Sequence, residues 1–197
     1  MIGLFFAGIV ANQPDAAQAG SSPTRVNETM AKGMPELIQT YLDSMDLTPA
    51  ERGVLERSKK NGRIAPADYQ DAQSRYAECM ERSGFTPEFR ESLYGFYVQL
   101  PFHDVSNQNA LDAANVKCSR GMAAVDVLYR TQQANPKLLA DSRLVAVECL
   151  ESSGFVDGDY TVERFERDWL HDEFPFDASE PGPNDCLWGA GYGYFES

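Results

Sequence analysis

Apolar residues recur at helical spacing near the start of the chain and predict two consecutive helices. The first, over residues 35–45, begins with proline at a favourable helical position and has one apolar face, formed by Leu37, Ile38, Tyr41, Leu42 and Met45. The second begins at Thr48-Pro49 and has a basic last turn before Asn61-Gly62, which suits the helix dipole. The pattern therefore predicts a helical hairpin over residues 34–64.

The same periodicity predicts three further helical regions. One covers residues 65–84 and has a face formed by Tyr69, Ala72, Tyr76, Cys79 and Met80. The next begins at Ser106 or Asn107, with an interruption expected at Gly121, and ends at Asn135-Pro136, because a residue before proline avoids helical geometry. The last covers residues 138–153.

Two other segments have the composition of strands. Leu93–Leu100 is aromatic and β-branched, and Tyr160–Glu166 alternates moderately between apolar and polar residues. We predict a short strand in each segment.

The four cysteines lie in two copies of one local pattern. Cys79 and Cys149 are each followed by four residues, a glycine and a phenylalanine, and then by Cys118 and Cys186, which lie 39 and 37 positions further on. Four cysteines allow three pairings, and the duplication selects Cys79–Cys118 and Cys149–Cys186, because each unit then closes on itself. A zinc site is disfavoured, since cysteines about forty residues apart lack chelate spacing.

This duplication predicts the organisation of the chain. We expect one cysteine unit over residues 65–136 and a second over 137–197, packed together as one domain after the helical hairpin. Gly84 and Gly154 fall where each cysteine-bearing helix needs a left-handed cap. The expected fold class is mainly α, an α-rich α+β fold with two disulfide-closed units and short strands.

The N-terminus has the pattern of an export signal. A short apolar core, residues 2–11, precedes Ala17-Gln18-Ala19, which has the small-x-small form that signal peptidase accepts, although no basic residue precedes the core. We expect a signal peptide over residues 1–19 and a disordered leader over 20–33, with a buried N-terminal strand as the alternative. An exported chain with four cysteines is expected to oxidise them.

The charge of the chain excludes several classes of partner. Among 197 residues, 30 acidic side chains outweigh 17 basic ones and give a net charge of −13. Such a chain repels nucleic acid and anionic membranes. Its acidic surface attracts basic peptides, polyamines or divalent cations, but the same charge also serves solubility alone.

The histidines and acidic residues of the chain form no known catalytic motif. His103 and His171 lie beside carboxylates, but adjacency does not make a triad, and we interpret both as surface residues. Asp157-Gly158-Asp159 is typical of a turn. The acidic C-terminal run favours a solvated loop over a calcium site; it consists of Asp172, Glu173, Asp177, Glu180 and Asp185. No metal or cofactor is predicted. A pair of carboxylates that catalyses hydrolysis stays an alternative, because such a pair is defined by its distance in space and not by its spacing in the sequence.

Aromatic residues are the candidate binding groups. Those between the paired cysteines are predicted to be mostly core: Phe89, Tyr94, Phe96, Tyr97, Phe102, Phe165, Trp169, Phe174 and Phe176. The C-terminal segment 187–195 alternates aromatic residues with glycines, and Trp188, Tyr192 and Tyr194 are candidates for stacking on a sugar or peptide. The favoured alternative for this segment is an edge strand held by Cys186, with its aromatic side chains packed inward.

Several of these segments resemble one group of bacterial proteins. The segment from Ala65-Pro66 through Cys79, four residues, Gly84 and Phe85, together with Asn184-Asp185-Cys186-Leu187, is similar to uncharacterised secreted proteins and lipoproteins of high-GC Gram-positive bacteria. The resemblance covers roughly residues 47–190, and this chain lacks the lipid-bearing cysteine of the lipoproteins. It implies an extracytoplasmic setting and no catalytic residues.

These patterns support a function hypothesis with two alternatives. We expect an exported, non-enzymatic binding or accessory protein of the bacterial cell envelope, whose partner is an unidentified envelope protein or peptide. The first alternative is a secreted hydrolase that uses a carboxylate pair, assisted by His103 or His171. The second is an acidic inhibitor or immunity factor that captures a cationic peptide.

Overall fold

A computed structural model describes residues 28–103 and 105–193, and its first two helices are those that the apolar pattern predicts. Helix α1 (Met34–Ser44) packs against helix α2 (Pro49–Asn61). The Thr48 side chain accepts a hydrogen bond from the backbone N–H of Glu51, and the Glu51 carboxylate accepts one from the backbone N–H of Thr48. This reciprocal capping fixes the start of α2.

The next part of the chain combines two helices with a β-hairpin. Its elements are helix α3 (Pro66–Arg82), strands β1 (Phe89–Glu91) and β2 (Tyr97–Gln99), and helix α4 (Gln108–Ser119). The strands are antiparallel, with Arg90 opposite Val98. A disulfide joins Cys79 near the end of α3 to Cys118 near the end of α4, with the two Cα atoms 5.5 Å apart.

The remaining elements are helical. They are α5 (Ala123–Ala134), α6 (Ser142–Ser152), α7 (Val162–His171) and α8 (Pro181–Gly189). A second disulfide joins Cys149 of α6 to Cys186 of α8, again with a Cα separation of 5.5 Å. The structure thus contains both predicted disulfides. The mainly α fold class is confirmed, with eight helices and one two-stranded sheet in the part of the chain that is described.

The predicted strand at Tyr160–Glu166 is wrong, because helix α7 begins within this segment. The Thr161 side chain caps the helix by accepting a hydrogen bond from the backbone N–H of Arg164 at 3.2 Å. Phe165 and Trp169 then follow at helical spacing and face the same core. The spacing of the apolar residues beyond position 166 therefore determines that this segment is a helix and not a strand.

The predicted strand at Leu93–Leu100 is confirmed only over β2. The preceding residues form a turn, in which the Ser92 hydroxyl accepts hydrogen bonds from the backbone N–H groups of Tyr94 and Phe96 at 3.3 and 3.1 Å. This local bonding reverses the chain, and the partner strand β1 was not predicted.

The predicted C-terminal edge strand is also wrong as far as the described residues extend. Residues 181–189 form α8, with Pro181 and Pro183 in its first turn, where proline is tolerated. Gly189 lies at the crossing of α8 and α5, because a Cβ added there would come within 2.5 Å of the Ala134 Cβ. Gly189 thus serves helix packing, and Gly191, with a φ of 91°, serves helix capping.

The end of the predicted leader is ordered. Thr29 and Leu139 form an isolated antiparallel bridge, flanked by backbone hydrogen bonds of 2.8 and 2.7 Å. The prediction of a disordered leader over residues 20–33 is therefore wrong for residues 28–33. Its earlier part, and the predicted signal peptide over residues 1–19, lie outside the described residues.

Three groups of buried side chains form the core. The largest joins α1, α2, the start of α3, the β-hairpin and α5, the second joins α6, α7 and α8, and the third lies between α3 and α4. Tyr94 of the β-hairpin packs against the first two groups, and Trp188 of α8 packs against the first. The β-hairpin and α8 therefore connect the first and second groups.

The same helix cap follows three of the four cysteines. The backbone N–H groups of Phe85, Phe155 and Tyr192 donate to the carbonyl five residues earlier, at 3.0, 2.9 and 2.8 Å. The glycine before each aromatic residue has a φ of 89°, 76° or 91°, as a Schellman cap requires. The pattern of a cysteine, four residues, a glycine and an aromatic residue thus occurs a third time, from Cys186. In contrast, the segments between the paired cysteines differ, since one contains the β-hairpin and the other contains α7.

Replacing Gly84 or Gly154 with alanine is expected to lower the free energy of unfolding by about 1 kcal/mol, because a Cβ is strained at positive φ. An added Cβ would meet no atom within 4 Å at either position, so no clash contributes. Gly53→Ala within α2 is the matched control, and it should raise the free energy of unfolding by about 0.8 kcal/mol through helix propensity. Urea titrations of the three variants measure these effects, and a shift of the same sign in all three would contradict the prediction.

Candidate functional site

A groove beside the β-hairpin gathers the strongest candidate binding groups. This central groove has a volume of about 350 Å³ and lies between β2, α4, α5 and the end of α8. Its aromatic lining consists of Phe89, Tyr97, Phe102 and Trp188. Aromatic faces of this kind bury apolar ligand surface and stack on planar groups.

An ion pair within α5 forms the polar part of the central groove. The Arg130 Nε donates to the Asp126 Oδ2 at 3.0 Å, and both side chains are more than four-fifths buried. The Gln73 side chain donates to the Asp126 Oδ1 at 2.8 Å, and the Tyr69 hydroxyl lies 3.4 Å from the same oxygen. The Arg130 Nη1 also donates to the Trp188 carbonyl at 3.2 Å, so α5 holds the end of α8.

Burial is the main cause of the raised pKa values of Asp126 and Tyr69. It raises the pKa of Asp126 above its usual value, although the Arg130 guanidinium and the hydrogen bonds from Arg130, Tyr69 and Gln73 act in the opposite direction. Burial, followed by the nearby Asp126 charge, raises the pKa of the Tyr69 hydroxyl. A carboxylate with a raised pKa in a cleft is a typical feature of functional sites.

Amide side chains supply further polar groups. Gln73, Gln99, Gln108 and Asn115 all line the central groove. The Tyr76 hydroxyl lies 2.8 Å from the Gln99 Oε1 and 2.9 Å from the Asn115 Oδ1, which orients both amides. The combination of aromatic faces and fixed amides suits a ligand with both apolar and hydrogen-bonding groups.

The structure separates the three aromatic residues that the sequence nominated for binding. Trp188 lines the central groove. Tyr192 instead packs on Phe165 and Trp169, with ring centroids 5.1 and 4.8 Å apart, and its hydroxyl lies 3.2 Å from the Ser142 Oγ. Tyr194 lies outside the described residues. Only Trp188 is therefore placed at the groove.

The two histidines lie outside the central groove, whereas two carboxylates line it. His103 and His171 are both exposed, and neither lines the central groove. Two carboxylates of the described residues do line it, Asp112 and Asp126. Among the described residues, no three histidine, cysteine, aspartate or glutamate side chains are grouped so that they could hold a metal ion.

One member of the acidic C-terminal run is not in a solvated loop. Asp185 is fully buried within α8, and its carboxylate lies 2.6 Å from the Arg90 Nη2. It also accepts a hydrogen bond of 2.7 Å from the backbone N–H of Leu93. The prediction of a solvated loop is therefore wrong at Asp185, because this carboxylate attaches the β-hairpin to α8. The other four acids of the run are exposed.

A larger cavity of about 690 Å³ lies between α6 and the α5–α6 connection, next to Cys149. Its charged pair, Lys137 and Glu148, is well exposed, with side-chain exposures of 66% and 38%. Within the described part of the chain, Tyr94 is the one aromatic residue that lines it, and the Tyr94 hydroxyl is already 3.1 Å from the Cys149 Sγ. The central groove is the better candidate site, because it combines more aromatic surface with a buried, polarised ion pair.

The ion pair of the central groove was not predicted, although the sequence contains a signal for it. Asp126 and Arg130 are four residues apart, and buried residues Val125, Leu128 and Tyr129 surround them in α5. Charges at this spacing on a largely apolar helix indicate a paired, partly buried site. Gln73 and Tyr69 carry no such signal, since only the fold brings α3 against α5.

Comparisons of the chain with models of known protein families, with curated proteins and with solved structures find no match. No helix within the described residues is long and apolar enough to cross a membrane.

Proposed function

We propose that this chain is an exported, non-enzymatic binding protein of the bacterial cell envelope, and that its ligand occupies the central groove. The observation that carries the proposal is the groove itself, where Phe102 and Trp188 supply apolar surface next to the buried Asp126–Arg130 pair. A preformed cleft with a few fixed polar groups is the usual form of a small-ligand or peptide site.

The two disulfides support the extracytoplasmic part of the proposal. Cys79–Cys118 and Cys149–Cys186 account for all four cysteines, and bonds of this kind persist mainly in oxidising compartments. The signal-like sequence over residues 1–19 and the resemblance to secreted proteins of high-GC Gram-positive bacteria agree with this setting.

A secreted hydrolase is the second candidate function, and one observation favours it. Burial raises the pKa of Asp126, and Asp112 is a second carboxylate in the same groove. A protonated acid and an ionised carboxylate are the pair that glycoside hydrolysis uses. The binding function is preferred because the Asp126 carboxylate is engaged by Gln73 and Arg130.

The proposed export of the protein and the oxidation of its cysteines are tested by expressing the full chain in a Gram-positive bacterium. The expected product is found outside the cytoplasm, begins at Gly20 and contains the Cys79–Cys118 and Cys149–Cys186 bonds. N-terminal sequencing and peptide mapping without reductant identify both features. A product retained in the cytoplasm with four free thiols, or one with Cys79 joined to Cys149, would contradict the proposed setting.

The groove is tested with a fluorescent reporter. In a Trp169→Phe variant, Trp188 is the remaining tryptophan and reports occupancy of the groove. The probes are purified peptidoglycan, soluble cell-wall oligosaccharides and synthetic peptides. One of them is expected to change the emission saturably and to be recovered intact by mass spectrometry. A cleaved probe would favour the hydrolase, and no saturable response from any probe would count against the groove.

A matched pair of variants tests whether the ligand binds in the central groove. Gln108 lines the central groove, whereas its exposed neighbour Asn109 does not. Gln108→Phe should obstruct the groove and weaken binding at least tenfold, while Asn109→Phe should leave binding within about twofold. Equal effects of the two substitutions would place the binding site elsewhere.

A further inference from the structure

The outer edge of strand β2 has backbone groups that no other part of the described chain uses. The backbone N–H of Ser92 donates to Phe96, and that of Leu100 donates to Glu88, both at 2.8 Å. In an antiparallel pair, hydrogen-bonded positions alternate with positions whose N–H and C=O groups point away from the partner strand. Tyr97 and Gln99 therefore direct their backbone groups away from β1.

Only one of these outward groups has a partner within the described residues. The Tyr97 N–H donates to the Tyr69 hydroxyl at 2.8 Å. The Tyr97 carbonyl and the N–H and carbonyl of Gln99 make no hydrogen bond to residues 28–103 or 105–193. An unpaired strand edge of this kind is a template for another chain.

This open edge borders the central groove. Tyr97 and Gln99 both line the groove, together with Leu100 and Pro101, which directly follow β2. The Tyr69 hydroxyl that receives the Tyr97 N–H is also next to Asp126. The backbone acceptors and donor of β2 thus lie beside the aromatic lining and the carboxylates.

The charge of the groove selects among peptides. Among the described residues, the charged ones that line it are Asp112, Asp126 and Arg130, which together carry one more negative than positive charge. Because Arg130 already pairs with Asp126, the exposed Asp112 carboxylate is the charge that the described lining offers to a ligand. The net charge of −13 on the whole chain attracts cations in the same way.

We propose that the ligand of the central groove is an extended peptide segment with basic side chains, which pairs with β2 as a third strand. This inference rests on the proposed binding function and specifies its ligand. The peptide backbone bonds to the Gln99 N–H and to the carbonyls of Tyr97 and Gln99. An apolar side chain packs against Phe102 and Trp188, and a lysine or arginine side chain pairs with Asp112. This is the β-augmentation mode of peptide recognition.

The probe for this inference is an acetylated, amidated hexapeptide that alternates lysine and valine. Two further versions carry N-methyl groups on either the lysines or the valines, and each version blocks one edge of the extended peptide. One methylated version is expected to lose binding at least tenfold and the other to bind within about threefold of the parent. Trp188 emission in the Trp169→Phe variant gives the affinities, and amide hydrogen exchange should show protection of the Gln99 N–H.

Two variants of the protein test the strand pairing from the other side, through the hydrogen bond that the Gln99 N–H donates to a peptide carbonyl. Gln99→Pro removes the outward N–H without removing a bond to β1, whereas Gln99→Ala removes the side chain and keeps the N–H. Gln99→Pro should weaken binding of the parent hexapeptide at least tenfold relative to Gln99→Ala. If Gln99→Pro does not fold, the methylated peptides still test the strand pairing with the unaltered protein, through the bonds to the Tyr97 and Gln99 carbonyls.

The outcomes separate this inference from the function on which it rests. Equal binding of both methylated peptides, or binding that 0.5 M salt abolishes, would overturn strand pairing and indicate unspecific charge attraction. If the hexapeptide does not bind but an oligosaccharide binds and Gln108→Phe blocks it, the peptide inference is wrong and the groove function stands. If no probe responds to Gln108→Phe, both are overturned.

Discussion

Removal of the Cys149–Cys186 disulfide by alanine substitution of both cysteines is expected to lower the free energy of unfolding by about 4 kcal/mol. The bond closes a loop of 37 positions, and the chain-entropy model gives this magnitude for such a loop. Since small domains are stable by about 5–15 kcal/mol, this loss is a large fraction of the total stability. Urea titration monitored by circular dichroism measures the loss.

The first disulfide provides the matched control. Cys79–Cys118 closes a loop of 39 positions, so its removal should have nearly the same entropic effect. Cys186 is fully buried and the Tyr94 hydroxyl contacts both sulfur atoms of the second bond, so the second removal should cost more than the first. Losses below about 1 kcal/mol for both double variants would show that neither bond contributes much to stability.

Replacing Arg90 with glutamine is expected to lower the free energy of unfolding by about 3 kcal/mol. The substitution leaves the Asp185 carboxylate, which is fully buried, without its cation. Asp185→Asn should cost less, because the Arg90 guanidinium that remains is 27% exposed and reaches water. Both variants should also weaken ligand binding, since the pair attaches the β-hairpin to α8 and both elements contribute lining residues to the groove. Denaturant titrations and the Trp188 reporter measure the two effects.

An exposed ion pair is the control for this prediction. Arg120 and Asp46 lie 3.0 Å apart, but their side chains are 67% and 92% exposed, so Arg120→Gln should change stability by less than about 0.5 kcal/mol. The double variant of Arg90 and Asp185 should lose less than the sum of the single variants, because the two groups are in contact. Additive losses, or a loss at Arg90 no larger than that at Arg120, would contradict the role assigned to this pair.

The β-hairpin and α7 illustrate where local pattern is a poor guide. Tyr160–Glu166 alternates over a few residues, yet the Thr161 cap and the later position of Trp169 make it the start of a helix. The segment Leu93–Leu100 is rich in strand-forming residues, yet its first part is a turn. The turn forms because the Ser92 hydroxyl accepts hydrogen bonds from the backbone N–H groups of Tyr94 and Phe96. Short windows allow both interpretations, and residues outside the window decide between them.

The candidate site was only partly predictable for a related reason. Trp188 was nominated as a binding residue and lines the groove, but Tyr192 belongs to the packing of α7 and α8. Both have the same sequence context of aromatic residues and glycines. What separates them is the end of α8, because Trp188 lies within the helix whereas Tyr192 follows its cap and packs on Phe165 and Trp169 of α7.

The sequence by itself determined the features that depend on neighbouring residues or on covalent pairing. Proline and threonine at helix starts and glycine at helix ends place most of the helices, because caps are satisfied within a few residues. The duplicated cysteine pattern selects the two disulfides, because each closes within its own copy.

Only the tertiary structure decided which distant residues meet at the groove. The hydrogen bonds from Gln73 to Asp126 and from Arg130 to Trp188 join residues 53 and 58 positions apart. Such contacts depend on how α3, α5 and α8 cross, and many side chains over the whole core determine these crossings. For the same reason, the open edge of β2 acquires its aromatic and acidic surroundings only in the folded chain.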